Sequence, residues 1–176
     1  MDNKSDSAVL ESLVLASCID SLTQFVGRIE TCFAKLTEDQ IWFRATETQN
    51  APGNLALHLA GNVRQWIICG LGGQEDKRIR HLEFDARGGQ SGAALGANLR
   101  KTVDEAIAVI SGLTTQELIR ERDIQGSRVT GVHALLHVVE HFGQHTGQII
   151  LLTKALTGED LGFYWHLNPP KSESSR

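Results

Sequence analysis

Proline is nearly missing from this chain. Pro52, Pro169 and Pro170 are its only three, so no proline breaks a helix between residues 53 and 168. Cysteine is scarce too. Cys18, Cys32 and Cys69 are odd in number and far apart, which argues against a disulfide framework and for reduced thiols in a cytoplasmic protein. Basic charge is not in excess: the net charge of −4 leaves no footprint for nucleic acid. No helix carries the Lys- and Arg-rich face of a membrane-surface segment. No unbroken apolar run approaches the roughly 18 residues of a bilayer span. The start, Met1-Asp-Asn-Lys-Ser-Asp6, lacks the apolar centre of a signal peptide. Period-2 alternation is also missing, so a β-rich fold is not expected.

Helical periodicity is what remains. Residues 1–7 are polar and expected to be frayed or disordered. From Ala8 to about Lys35, Leu10, Leu13, Leu22, Phe25, Val26, Ile29 and Phe33 recur at helical spacing. Thr37 can cap a short turn. A second helix is predicted from about Asn54, as its cap, to Leu71, ending at Gly72 and Gly73. A charged loop fills 72–90. A third helix runs from Ser91 to about Ser111, and Thr114-Thr-Gln-Glu117 forms a capping-type turn. Gln125-Gly126-Ser127 can turn a short exposed hairpin. A last helix runs from Thr130 to about Leu156, stopped by Thr157-Gly158. The aromatic segment 161–167 is expected to pack back, and 169–176 to be a disordered tail. The expected fold is all-α: one four-helix bundle domain over 8–168, with long connections and a short hairpin.

The last helix holds the chemistry. Four of the seven histidines, His133, His137, His141 and His145, follow one another every four residues. Imidazoles one turn apart can share a metal ion. A polar stripe that happens to use histidine is the plain alternative. Each step of four drifts about 40° around the helix. Against the apolar stripe of Leu135, Leu136, Val138, Val139, Phe142, Ile149, Ile150 and Leu152, His145 and His141 border the buried face. His137 is further off, able to support or substitute, and His133 lies nearly opposite.

Two histidines leave an ion half coordinated, whereas catalytic zinc-type sites use three protein ligands and keep one position open. His58, in the apolar run Leu55-Ala-Leu-His58-Leu-Ala-Gly61, is the best third candidate, because a buried imidazole is costly unless its lone pair is used. A core histidine bonded to a carbonyl is the alternative. His81 in the charged loop and His166 near the C-terminus are weaker rivals.

Three stretches together resemble a known family: Asn54-Leu-Ala-Leu-His58-Leu-Ala-Gly-Asn62, Arg78-Ile-Arg80-His-Leu-Glu83-Phe84, and His137-Val-Val-Glu-His141-Phe-Gly-Gln-His145-Thr-Gly147-Gln148-Ile149. The chain resembles the DinB-like superfamily of metalloenzymes over roughly residues 8–166. Many relatives have Arg where Thr146 stands here. The resemblance implies a four-helix bundle, usually a homodimer, with a divalent metal on three histidines, which map onto His58, His141 and His145. It implies zinc or nickel. For some members it implies a low-molecular-weight thiol, such as bacillithiol, mycothiol or glutathione, used in transferase or isomerase reactions.

The expected function is therefore a metal-dependent hydrolase or thiol transferase acting on a small molecule. The alternative is a non-catalytic, metal-stabilised dimeric bundle or small-ligand binder. Gln148 can fix the tautomer of a ligand, and Asn62, one turn after His58, can line the pocket. Trp66 is a core residue or a pocket wall. Arg78, Arg80 and Glu83 read as a solvated charge run, or else the loop closes over the open metal position and the two arginines bind an anionic substrate group. Glu140 points away from His145, and no catalytic base is assigned.

Overall fold

The computed structural model describes the backbone of residues 3–167 and side chains from residue 6 onward. The expectation of a disordered tail at 169–176 lies outside the described residues. Helix α1 spans Asn3–Phe33, so it begins five residues before the expected start. Short α2 (Glu38–Ile41) is capped by Thr37, whose hydroxyl accepts from Gln40 N–H while the Gln40 side chain reaches back to the Thr37 N–H.

Helix α3 covers Pro52–Val63 and continues as one π-helical segment, Arg64–Cys69. Asn54 is not its cap. Ala51 holds that position, with Pro52 just inside the start, where its missing N–H costs nothing. Asn54 sits three residues in, and its Oδ1 accepts from Ala51 N–H. The loop from residue 72 to 90 is not wholly irregular either: α4 forms over Arg80–Asp85. Helix α5 spans Gly92–Ser111, capped by the Ser91 hydroxyl. Helix α6 spans Thr115–Ile119.

The hairpin pairs β1 (Glu121–Ile124) antiparallel with β2 (Ser127–Thr130). Gln125 and Gly126 both take positive φ, +52° and +76°, as a type I′ turn requires. Helix α7 spans Gly131–Thr157, opened by the Thr130 hydroxyl and closed by Gly158 at φ +72°.

Helices α1, α3, α5 and α7 form the bundle. Both α1 and α3 pack on both α5 and α7, so α1 and α3 lie across one diagonal. Their core faces supply Leu22, Val26 and Ile29, Leu55, Leu59 and Val63, Leu99, Val103 and Ile110, and Leu135, Val138, Phe142 and Ile149, all fully or nearly fully buried. Leu136, counted in the apolar stripe from sequence, is instead 56 % exposed. Phe142 stacks on Phe25 at 6.2 Å between centroids. Burying a side chain of that size contributes about 1.5–3 kcal/mol, and it fixes the rotation of α7, so that His141 and His145 fall on the α3 side.

By length and composition alone, Asp6–Phe33 in α1 suits a membrane span, although it contains no unbroken apolar run. Leu22, Val26 and Ile29 are spent in the bundle core, but only 22 % of that apolar window is buried, which leaves a broad outer face.

Candidate metal centre

The bundle brings together histidines 83 or more residues apart. His58 on α3 meets His141 and His145 on α7, and one ring nitrogen from each lies within 4.8 Å of the others. His58 is almost wholly buried; the other two are half-buried. His58 Nε2 and His141 Nε2 stand 2.8 Å apart. The rings meet edge to face, His141 against His145 at 89° and His58 against His145 at 88°. Three neutral imidazoles pointing at one spot form the donor set that a zinc-type ion takes.

Protonation is disfavoured here, which keeps the lone pairs free. Burial first, and then the crowding of other protonatable rings (His145, His58, His137) and the Arg78 guanidinium, pushes His141 down to about 3. Burial also lowers His145, partly offset by its bond to Gln148.

Each histidine has a different outer partner. His145 Nδ1 is 2.7 Å from Gln148 Oε1, one turn along on the exposed face of α7. His58 Nδ1 is 2.9 Å from Glu83 Oε2 on α4. Arg78 grips that carboxylate with two prongs, Nε to Oε1 at 2.7 Å and Nη2 to Oε2 at 2.8 Å. Its Nη1 donates to Gln65 Oε1 at 2.8 Å. Burial alone would raise the Glu83 carboxyl, but hydrogen bonds and charge from Arg78 and His58 outweigh it and hold the group below its ordinary value.

Asn54 fastens the loop that carries Glu83. Its Nδ2 donates to Glu83 O and Ala86 O, both at 2.9 Å, and its Oδ1 accepts from Arg44 at 2.7 Å. Arg44 in turn donates to Phe84 O at 2.7 Å.

The remaining candidates divide. His137 lies one turn below His141, its ring parallel at 5.5 Å. Its other neighbour is Trp66, with centroids 3.9 Å apart. Trp66 is 5 % exposed and belongs to the π-helical segment, a rare geometry that often accompanies functional sites. Its Nε1 donates to Gln125 in the hairpin turn, and the ring packs as a core residue against His137. Asn62 Nδ2 is 3.4 Å from His137 Nε2, and its buried Oδ1 has no partner among the described residues.

His133, His81 and His166 are exposed, as is Glu140. Arg80 is exposed over the Phe84 ring at 4.7 Å. Arg78 is turned inward, and its donors serve Glu83 and Gln65. Glu83, read from sequence as part of a solvated run, is buried against the centre. Its only sequence signal is its place in the stretch that carries the family resemblance. A 330 Å³ cavity opens beside the centre, lined by Leu55, Leu151 and Leu152 with the amides of Gln49, Asn50 and Gln148.

The chain belongs to the DinB-like class of helical bundles, and within that bundle three histidines from two helices could hold a metal ion. A family model described as mycothiol-S-transferase matches residues 18–158, and the chain is a member of that family. The fold is also shared with crystal structures of two DinB-like proteins. The one from Bacillus subtilis is 18 % identical with a TM-score of 0.64, over 84 % of this chain and 97 % of that one. The one from Bacillus cereus is 18 % identical with a TM-score of 0.64, over 82 % and 93 %. A conserved protein from Enterococcus faecalis is 15 % identical with a TM-score of 0.70, over 82 % and 97 %. No curated protein matches the chain.

Proposed function

We propose that the protein is a metal-dependent thiol transferase whose divalent ion, zinc or nickel, is held by His58, His141 and His145. The observation that carries this is the convergence of those three ring nitrogens in a chain of the mycothiol-S-transferase family. A bound ion would supply Lewis acidity and lower the pKa of a coordinated thiol or water. Hydrolysis of a small ester or amide is the related reaction of the same centre.

The chain's own residues prepare that chemistry. Burial disfavours a positive charge on His141 and His145, so neither ring opposes a cation at the centre. Gln148 orients His145 through Nδ1. His137, Trp66 and Asn62 pack together one turn away, and Asn62 Oδ1, without a partner among the described residues, offers an acceptor to a bound molecule. Of the arginine pair, Arg80 keeps its guanidinium at the surface for an anionic substrate group, while Arg78 serves the Glu83 carboxylate.

The protein is placed in the cytoplasm, in keeping with its three free cysteines, and works as a homodimer. The dimer reading is supported by Val9, Leu10 and Leu13 on α1 and Leu136 on the neighbouring α7, all more than half exposed.

The deciding experiment is a screen of the metal-loaded protein with mycothiol, bacillithiol and glutathione against small electrophiles, beside a panel of esters. Thiol-dependent consumption of an electrophile, lost on replacing His141 and His145, is the expected result. Stoichiometric metal with no turnover of any thiol or ester would favour a metal-stabilised binding protein instead.

A further inference from the structure

We propose that Glu83 is a positioning residue that selects the tautomer of His58, turning a bare Nε2 toward His141 and His145, with Arg78 holding the carboxylate in place. This rests on the metal reading above but can be judged without it. An ionised carboxylate only accepts hydrogen bonds. At 2.9 Å from Glu83 Oε2, Nδ1 of a neutral His58 must carry the ring's one proton, which leaves the Nε2 lone pair free. The 2.8 Å between His58 Nε2 and His141 Nε2 agrees: the single proton between them then belongs to His141. Arg78 Nη2 also lies 3.1 Å from His58 Nδ1. Both are donors in this tautomer, and the carboxylate they share draws them together. The two-pronged Arg78 grip is charge-assisted and fixes the orientation of the carboxylate.

Gly61 shows that the backbone makes room for this arrangement. A Cβ there would overlap Glu83 Oε1, and would stand 2.8 Å from Arg78 Nε and 2.9 Å from Glu83 Cδ. A glycine inside a helix is destabilising by itself, and here it lets a buried ion pair reach across α3 to the histidine. Among the described residues no carboxylate contacts His141 or His145, so His58 is the one ligand candidate with a charged partner. Such a partner raises the basicity of the ligand, and its loss typically weakens metal binding about 10–100-fold.

The test reads the imidazole ¹⁵N spectrum of metal-free wild-type protein at neutral pH, with His58 assigned by its absence in His58→Gln. The expected tautomer is Nδ1–H. In Glu83→Gln the amide can donate as well as accept, so the two tautomers mix and zinc affinity falls about 10–100-fold. Gly61→Ala keeps both charged residues but displaces the carboxylate, and moves both readouts the same way. Wild-type His58 found as Nε2–H overturns the proposal at once, whether or not the variants fold. So does a folded Glu83→Gln with an unchanged tautomer and unchanged zinc affinity. Wild-type protein with the Nδ1–H tautomer but no zinc binding upholds the role of Glu83 and counts against the metal reading.

Discussion

The two sides of the histidine cluster are built in opposite ways. On α7 the pair His141 and His145 comes from one helix, placed by its own periodicity and half-buried, with a surface amide as support. On α3 the single His58 is nearly sealed, and its support arrives from α4 through Glu83, held by Arg78 just before α4 and by Asn54 on α3. One side is local geometry and the other is tertiary structure. The α7 side should therefore tolerate change outside its two imidazoles. The α3 side should fail when any member of its polar network is removed.

The largest effect is expected at Arg78. Arg78→Ala leaves the Glu83 carboxylate buried without its cation, and breaking such a pair costs about 3–5 kcal/mol. Chemical denaturation should show that loss. Lys35→Ala removes only the exposed ion pair with Glu159 and should cost no more than about 1 kcal/mol. Equal losses would erase the contrast.

Acid should act through both sides. His141 is held far below its ordinary value of 6.5, and His137 and His145 are also lowered. Below about pH 6.5 the unfolded chain takes protons that the folded chain refuses, so stability falls as pH drops toward 3. Glu83 adds stability that is present above its ordinary 4.5 and is lost as pH falls through its lowered folded value. Denaturation midpoints of metal-free protein across this range should decline steadily. A flat profile would contradict the buried, neutral histidines.

Gly61→Ala comes next, at about 1–3 kcal/mol for overpacking against Glu83. The smallest effect is expected at His133, which is exposed on the first turn of α7. His133→Ala should change stability by no more than about 0.5 kcal/mol and leave metal content untouched.

The same contrast explains what could be read in the sequence. The four bundle helices, the Gln125-Gly126 hairpin and the Gly158 stop were legible because each follows from spacing or turn chemistry within a short window. So was the way the ladder divides, with His133 exposed and His141 and His145 at the edge of the core. Glu83 was not legible, because nothing in Arg78-Ile-Arg80-His-Leu-Glu83 shows that α4 folds its carboxylate onto α3. Asn54 looked like a cap because its type favours one; Pro52 and the carbonyls of α4 gave it a different task. The exposure of Leu136 was hidden for a related reason: an outer face that could meet a second chain looks apolar in the same way as the core.

The most direct test is the divalent metal content of protein prepared without a histidine tag, compared with the His141→Ala, His145→Ala double variant. The account predicts stoichiometric metal in the wild type and almost none in a folded variant. Equal metal in both, or none in either after loading with zinc or nickel, would contradict it.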